Sequence, residues 1–101
     1  MATLRVNVNS YWFGLLDKGE IKFDYREVKP HWIKRLTTCD ANETDLNVLN
    51  DNLRHFDEVE FYIPGHTRKI IFKLLWMSVF KGSEVGLKTD AAFIIKFGKR
   101  L

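Results

Sequence analysis

The sequence predicts an α+β fold, a small and strongly curved β-sheet carrying two or three short helices. Five stretches alternate apolar and polar residues with the period of a strand, at 3–9, 21–27, 57–63, 68–80 and 91–97. Two short segments among them carry helical spacing together with start and stop residues. Of the 101 residues, 46% are hydrophobic and 14% aromatic, which excludes a disordered chain and supplies a core for one domain over residues 1–101.

Each element follows from its residues. Leu4, Val6 and Val8 share one side of the first strand, and Arg5, Asn7 and Asn9 the other. Ser10 offers an N-cap oxygen to a helix over Tyr11–Lys18, with Trp12, Leu15 and Leu16 on its buried face. Gly19 stops that helix, since it takes a positive φ without a Cβ clash. In the second strand Ile21, Phe23 and Tyr25 share one face, and Lys22, Asp24 and Arg26 the other.

Pro30 suits the first turn of a helix over Pro30–Leu36, giving Trp32, Ile33 and Leu36 to the core and leaving Lys34 and Arg35 wet. Residues 37–55 are polar, but Leu46, Leu49, Leu53 and Phe56 keep a spacing that allows a modest third helix. Beyond Asp57, Val59, Phe61 and Ile63 point inward and Glu58, Glu60 and Tyr62 outward. A Pro64-Gly65 turn leads into Arg68–Lys81, read as a long bent strand with Ile70, Phe72, Leu74, Trp76 and Phe80 on one face. Its β-branched and aromatic residues favour that over a buried helix. After a turn region over Gly82–Asp90, Phe93, Ile95 and Phe97 mark the last strand.

Cys39 is the only cysteine, so no intramolecular disulfide forms. The first residues lack the apolar stretch of a signal peptide, and the longest apolar runs fall short of the ~20 residues of a membrane helix. A cytoplasmic protein with no membrane partner is expected. His31, His55 and His66 have no metal-ligand spacing, and no glycine-rich phosphate loop is present, so neither a metal nor a cofactor is expected.

The net charge is +3, and its distribution is uneven. Basic residues gather over Lys18–Arg35, Arg68–Lys81 and the C-terminus, while residues 40–60 are mainly acidic. Brought together, the basic stretches would attract phosphates. Lys22, Asp24 and Arg26 on one strand face would anchor a nucleotide, with the arginine fork on a phosphate or a stacked base and the carboxylate on an exocyclic amine. Tyr62, outward by strand phase, would add a stacking surface. The bland alternative is a solvated strand face laced with weak ion pairs.

The stretch Lys18–Leu36, KGEIKFDYREVKPHWIKRL, resembles the ASCH family of small PUA-like β-barrel proteins, as found in gut bacteria and their phages. Further similar segments are Phe56–Phe61 and Ile94–Lys99. The family signature is a glycine, a lysine two residues on, an acid or hydroxyl residue five on, and an arginine seven on. Gly19, Asp24 and Arg26 match it; the lysine falls on Ile21, with Lys22 one residue along.

The resemblance implies a PUA-like (ASCH) barrel that binds RNA or a nucleotide beside its sheet. It implies ligand-binding roles for Gly19, Asp24 and Arg26, to which strand phase adds Lys22 and Tyr62. Some members are amidohydrolases or ribonucleases; in the amidohydrolases a lysine, a hydroxyl residue and a glutamate carry the reaction. Lys22 and Asp24 are then the catalytic candidates, with Glu58 and Glu60 in the region of the glutamate. Ile21 cannot move a proton, which favours binding without catalysis. The third reading is a phage accessory or structural protein whose partner is another protein.

Overall fold

The computed structural model describes residues 2–101, and these form an α+β protein with one five-stranded sheet and a few short helices. In chain order the elements are β1 (Thr3–Asn7), α1 (Ser10–Asp17), β2 (Phe23–Glu27), α2 (Pro30–Leu36), α3 (Leu46–Asp51), β3 (Glu58–Tyr62), β4 (Lys69–Lys81) and β5 (Ala91–Arg100), with a 3₁₀ turn at Gly82–Glu84. The sheet order is β1-β3-β4-β5-β2, with β1 parallel to β3 and β3 antiparallel to β4. Among the described residues, no helix is long and apolar enough to cross a membrane. The residues group into two compact units.

The first unit comprises the chain up to Phe23, His55–Trp76 and Lys96–Leu101. Its centre is built by strand register. Leu4 lies beside Val59 and Val6 beside Phe61, while Val59 and Phe61 oppose Phe72 and Ile70. All six are buried. Phe61, Phe72 and Phe97 form an aromatic triangle with centroids 4.7–6.0 Å apart. Each ring contributes about 1.5–3 kcal/mol by leaving water.

α1 begins one residue earlier than the sequence suggests. Asn9, not Ser10, is its cap, accepting the Trp12 N–H at 2.8 Å, and Phe13 and Leu16 rather than Trp12 and Leu15 are the fully buried pair. Glu60 and Trp76 also depart from the alternation. Glu60 is buried on β3, and Trp76 is 43% exposed although it was expected on the inward face of β4.

The second unit comprises Asp24–Arg54 and Met77–Ile95. Ile33, Leu36, Leu49, Val79 and the run Ala92–Ile95 are its buried hydrophobic residues, so that stretch of β5 is covered on both faces. Pro30 opens α2, as its fixed φ and missing N–H favour. Asp45 caps α3 by accepting the Asn47 N–H at 2.9 Å, and Leu49 plugs the core. In β4 the inward residue here is Val79, not Phe80. Asn50 holds that register: its amide accepts the Val79 N–H at 2.7 Å and donates to the Val79 carbonyl at 2.9 Å. Gly82 meets Asp90 so closely that a Cβ there would overlap the Thr89 carbonyl.

The face of β2 carrying Asp24 and Arg26 is not a solvated one. Asp24 is 2% exposed while Tyr25, on the opposite face, is 42% exposed. The strand itself starts at Phe23, so Lys22 precedes it.

Candidate functional site

In the first unit the C-terminus of α1 sets the geometry. Lys18 donates its backbone N–H to the Gly14 carbonyl at 3.1 Å, and Gly19, at φ +74°, turns the chain while its own N–H reaches the Leu16 carbonyl at 3.1 Å. That turn delivers Ile21 and Lys22 alongside β5, where the Lys22 carbonyl accepts the Phe97 N–H at 3.1 Å.

The outcome is a pocket of about 280 Å³. Leu16, Ile21, Phe72 and Phe97 supply its apolar wall, and Lys18, Lys22 and Arg100 its cations. Asp17 is the one carboxylate in the lining, and it is already engaged by Arg100 at 3.1 Å and by Arg68 at 3.3 Å. Lys18 and Lys22 are exposed, and neither makes an ion pair among the described residues. An apolar wall under excess positive charge suits a ligand with a flat apolar part and an anionic one. Gly19 and Lys22 are thus brought into one pocket. The neighbouring Ile21 contributes surface and no proton chemistry.

Asp24 and Arg26 lie in the second unit and meet each other. Two residues apart on a strand, they share a face, and the guanidinium closes on the carboxylate at 2.7 Å through Nε and 3.4 Å through Nη2. The Arg26 guanidinium also lies 5.0 Å from the Trp32 ring centroid, and that of Arg35 lies 5.1 Å from it. A buried carboxylate needs such a partner. Arg26, with a side chain 19% accessible, therefore serves first to compensate Asp24.

Tyr62, expected to be exposed, is half-buried, and the Arg5 guanidinium covers its ring at 4.6 Å. Arg5 also donates to Glu60 at 2.6 Å, and Lys69 stands 3.6 Å from the same carboxylate. The Arg5 hydrogen bond holds the Glu60 carboxyl below the usual carboxylate range, against the opposing effect of burial. A carboxylate fixed between two cations is poorly placed to pick up and release protons near neutral pH. Arg100, one of the basic residues that end the sequence, and Asp17 line the pocket without a sequence motif that marks them.

No protein-family model, curated protein or solved structure matches the chain.

Proposed function

We propose that the chain is a PUA-like, ASCH-type module that binds a nucleotide or single-stranded RNA in the first unit's pocket, without catalysis. The observation that carries this reading is the pairing of an apolar pocket, half-buried Ile21 over a floor of buried Leu16, Phe72 and Phe97, with the Lys18, Lys22 and Arg100 cations. A base would pack on Ile21 and its phosphate would lie among the cations. The volume of about 280 Å³, just under the usual range of small-ligand sites, limits the pocket to a single base or phosphate group with the rest of the ligand outside it. The absence of a proton-moving group at Ile21, and the engagement of Glu60 by Arg5 and Lys69, favour binding over hydrolysis.

The test is a titration of the protein with adenosine monophosphate and with a short single-stranded RNA at several salt concentrations. Three cations at the site predict a log–log salt slope of about −2 for RNA, reduced by about 0.7 in Lys22→Ala. Lys22→Ala should weaken both ligands about five- to twentyfold. No saturable binding to either, or binding indifferent to Lys22→Ala, would reject the pocket as the ligand site.

A further inference from the structure

In the first unit, Leu75 and Trp76 are consecutive on β4 and both exposed, 51% and 43%, where strand alternation would bury one of them. The Trp76 ring meets Phe23 edge-on, with centroids 6.2 Å apart and planes at 66°. Lys96 of β5 holds its ammonium group 4.0 Å from the Phe23 ring centroid, and it makes no ion pair among the described residues. Leu75 lies on the bare backbone of Gly98, where a Cβ would come within 3.1–3.3 Å of its side chain. An indole, a leucine and an ammonium group thus share one stretch of surface around Phe23.

That surface borders the pocket. Lys22 and Gly98 both line the pocket; Phe23 is the next residue after Lys22, and Leu75 covers Gly98. Lys96 is two residues from Gly98, ~7 Å along the strand. A pocket of about 280 Å³ takes one base or phosphate group, so a longer ligand continues outside it. Charge then chooses among occupants. Lys73 stands opposite Glu58 in the sheet register, so those two offset each other and Lys96 sets the sign beside Trp76. Isologous pairing with a second copy would set this cationic patch against itself. A single strand suits both features, since an unpaired base stacks on an indole and its phosphate meets the ammonium group. A duplex keeps its base faces covered and offers none to the indole.

We propose that Trp76, Leu75 and Lys96 form a stacking platform for single-stranded RNA, on which a strand whose first nucleotide sits at the pocket lays its next base. The path of the strand rests on nucleotide binding at that pocket. The platform makes a strand, rather than a free mononucleotide, the preferred ligand of the first unit.

The experiment is titration of the whole chain with adenosine monophosphate and with a tetra-adenylate RNA, followed by calorimetry and tryptophan fluorescence. The tetranucleotide should bind about tenfold more tightly than the mononucleotide and quench the fluorescence. Trp76→Leu keeps an apolar side chain against Phe23 and removes the indole. It should abolish the tetranucleotide's advantage and most of the quenching, and leave mononucleotide affinity unchanged. Lys96→Gln should reduce the log–log salt slope for the tetranucleotide by about 0.7. Equal affinity for the two ligands, or an advantage that survives Trp76→Leu, would overturn the proposal. If Trp76→Leu also weakens the mononucleotide, Lys96→Gln decides, and an unchanged salt slope there overturns it. A dimer seen by sedimentation without RNA, and lost in Trp76→Leu, would assign the patch to a second copy and overturn it likewise. The pocket fails separately: mononucleotide binding that ignores Lys22→Ala, beside tetranucleotide binding that needs Trp76, would reject the pocket and uphold the platform.

Discussion

At Lys18 and Lys22 the ammonium groups stand in solvent on the rim of the first unit's pocket, beside a carboxylate that two arginines already occupy. At Arg26 the guanidinium is engaged by Asp24 and stacks on Trp32 within the second unit. All three cations belong to one basic stretch of the chain, yet only the lysines stand outside an ion pair among the described residues. The difference traces to Asp24. A carboxylate 2% exposed draws the nearest planar cation into its own compensation, whereas neither lysine is ion-paired among the described residues. Charge density along a sequence therefore measures attraction only after the buried acids have been subtracted.

The sharpest way to break that contrast is Arg26→Ala. Removing one partner of a buried ion pair weakens the compensation of the charge left behind, so unfolding in urea should show a loss of about 3–5 kcal/mol. Adding Asp24→Asn to the same chain should recover part of it, because the group left behind is then neutral. A loss below about 1 kcal/mol would show that Asp24 relies on other partners, and Arg26 would again be available to a ligand.

Next in size are two backbone devices, one in each unit. Asn50→Ala should cost about 1–3 kcal/mol, since the Val79 N–H and carbonyl both lose the side chain that satisfies them. Gly19→Ala should cost about 1–2 kcal/mol. A Cβ there meets nothing within 4 Å, so the penalty comes from φ +74° alone. Chemical denaturation of both variants checks the order, and a Gly19→Ala loss near zero would mean that the pocket's turn tolerates another conformation.

Much of this architecture was legible in the sequence. The strand periods, the Gly19 stop, Pro30 at the head of α2 and the strand nature of residues 69–81 all rest on local rules that need no knowledge of neighbours. The failures share a cause. Asp24 and Glu60 read as outward because they are charged, but each is buried beside an arginine, at separations of 2 and 55 residues respectively. The exposed Trp76 and inward Val79 depend on where β4 is gripped, and for Val79 the grip comes from Asn50, 29 residues away. The candidate site was half-legible for the same reason. Gly19 and Lys22 are close in sequence, whereas Arg100 reaches their pocket only through folding.

Acid should affect the first unit through Glu60. Its carboxyl is held below the ordinary carboxylate range by the Arg5 hydrogen bond, and Asp57 is lowered likewise by the Ala2 backbone N–H. In the unfolded chain both return toward ordinary values near 4, so below about pH 5 the unfolded state binds more protons than the folded one. The stabilisation is complete above that range and is lost as pH falls through the folded values. Melting temperature followed from neutral pH to about pH 3 should fall, and the fall should be shallower in Glu60→Gln. Equal slopes in the two proteins would remove Glu60 from the account.

The smallest effect on stability is expected at Lys22, and it completes the contrast with Arg26. The lysine side chain is exposed and makes no ion pair among the described residues, so Lys22→Ala should change unfolding free energy by no more than about 0.5 kcal/mol. Its backbone carbonyl, which accepts the Phe97 N–H, is untouched by the substitution. A stability-neutral change that still weakens nucleotide binding would separate ligand recognition from folding, a separation that Arg26→Ala cannot provide. Urea denaturation and nucleotide titration on the same preparation of Lys22→Ala decide it. A stability loss comparable to that of Arg26→Ala would place Lys22 among the cations the fold consumes, and would remove the distinction between the two ends of the basic stretch.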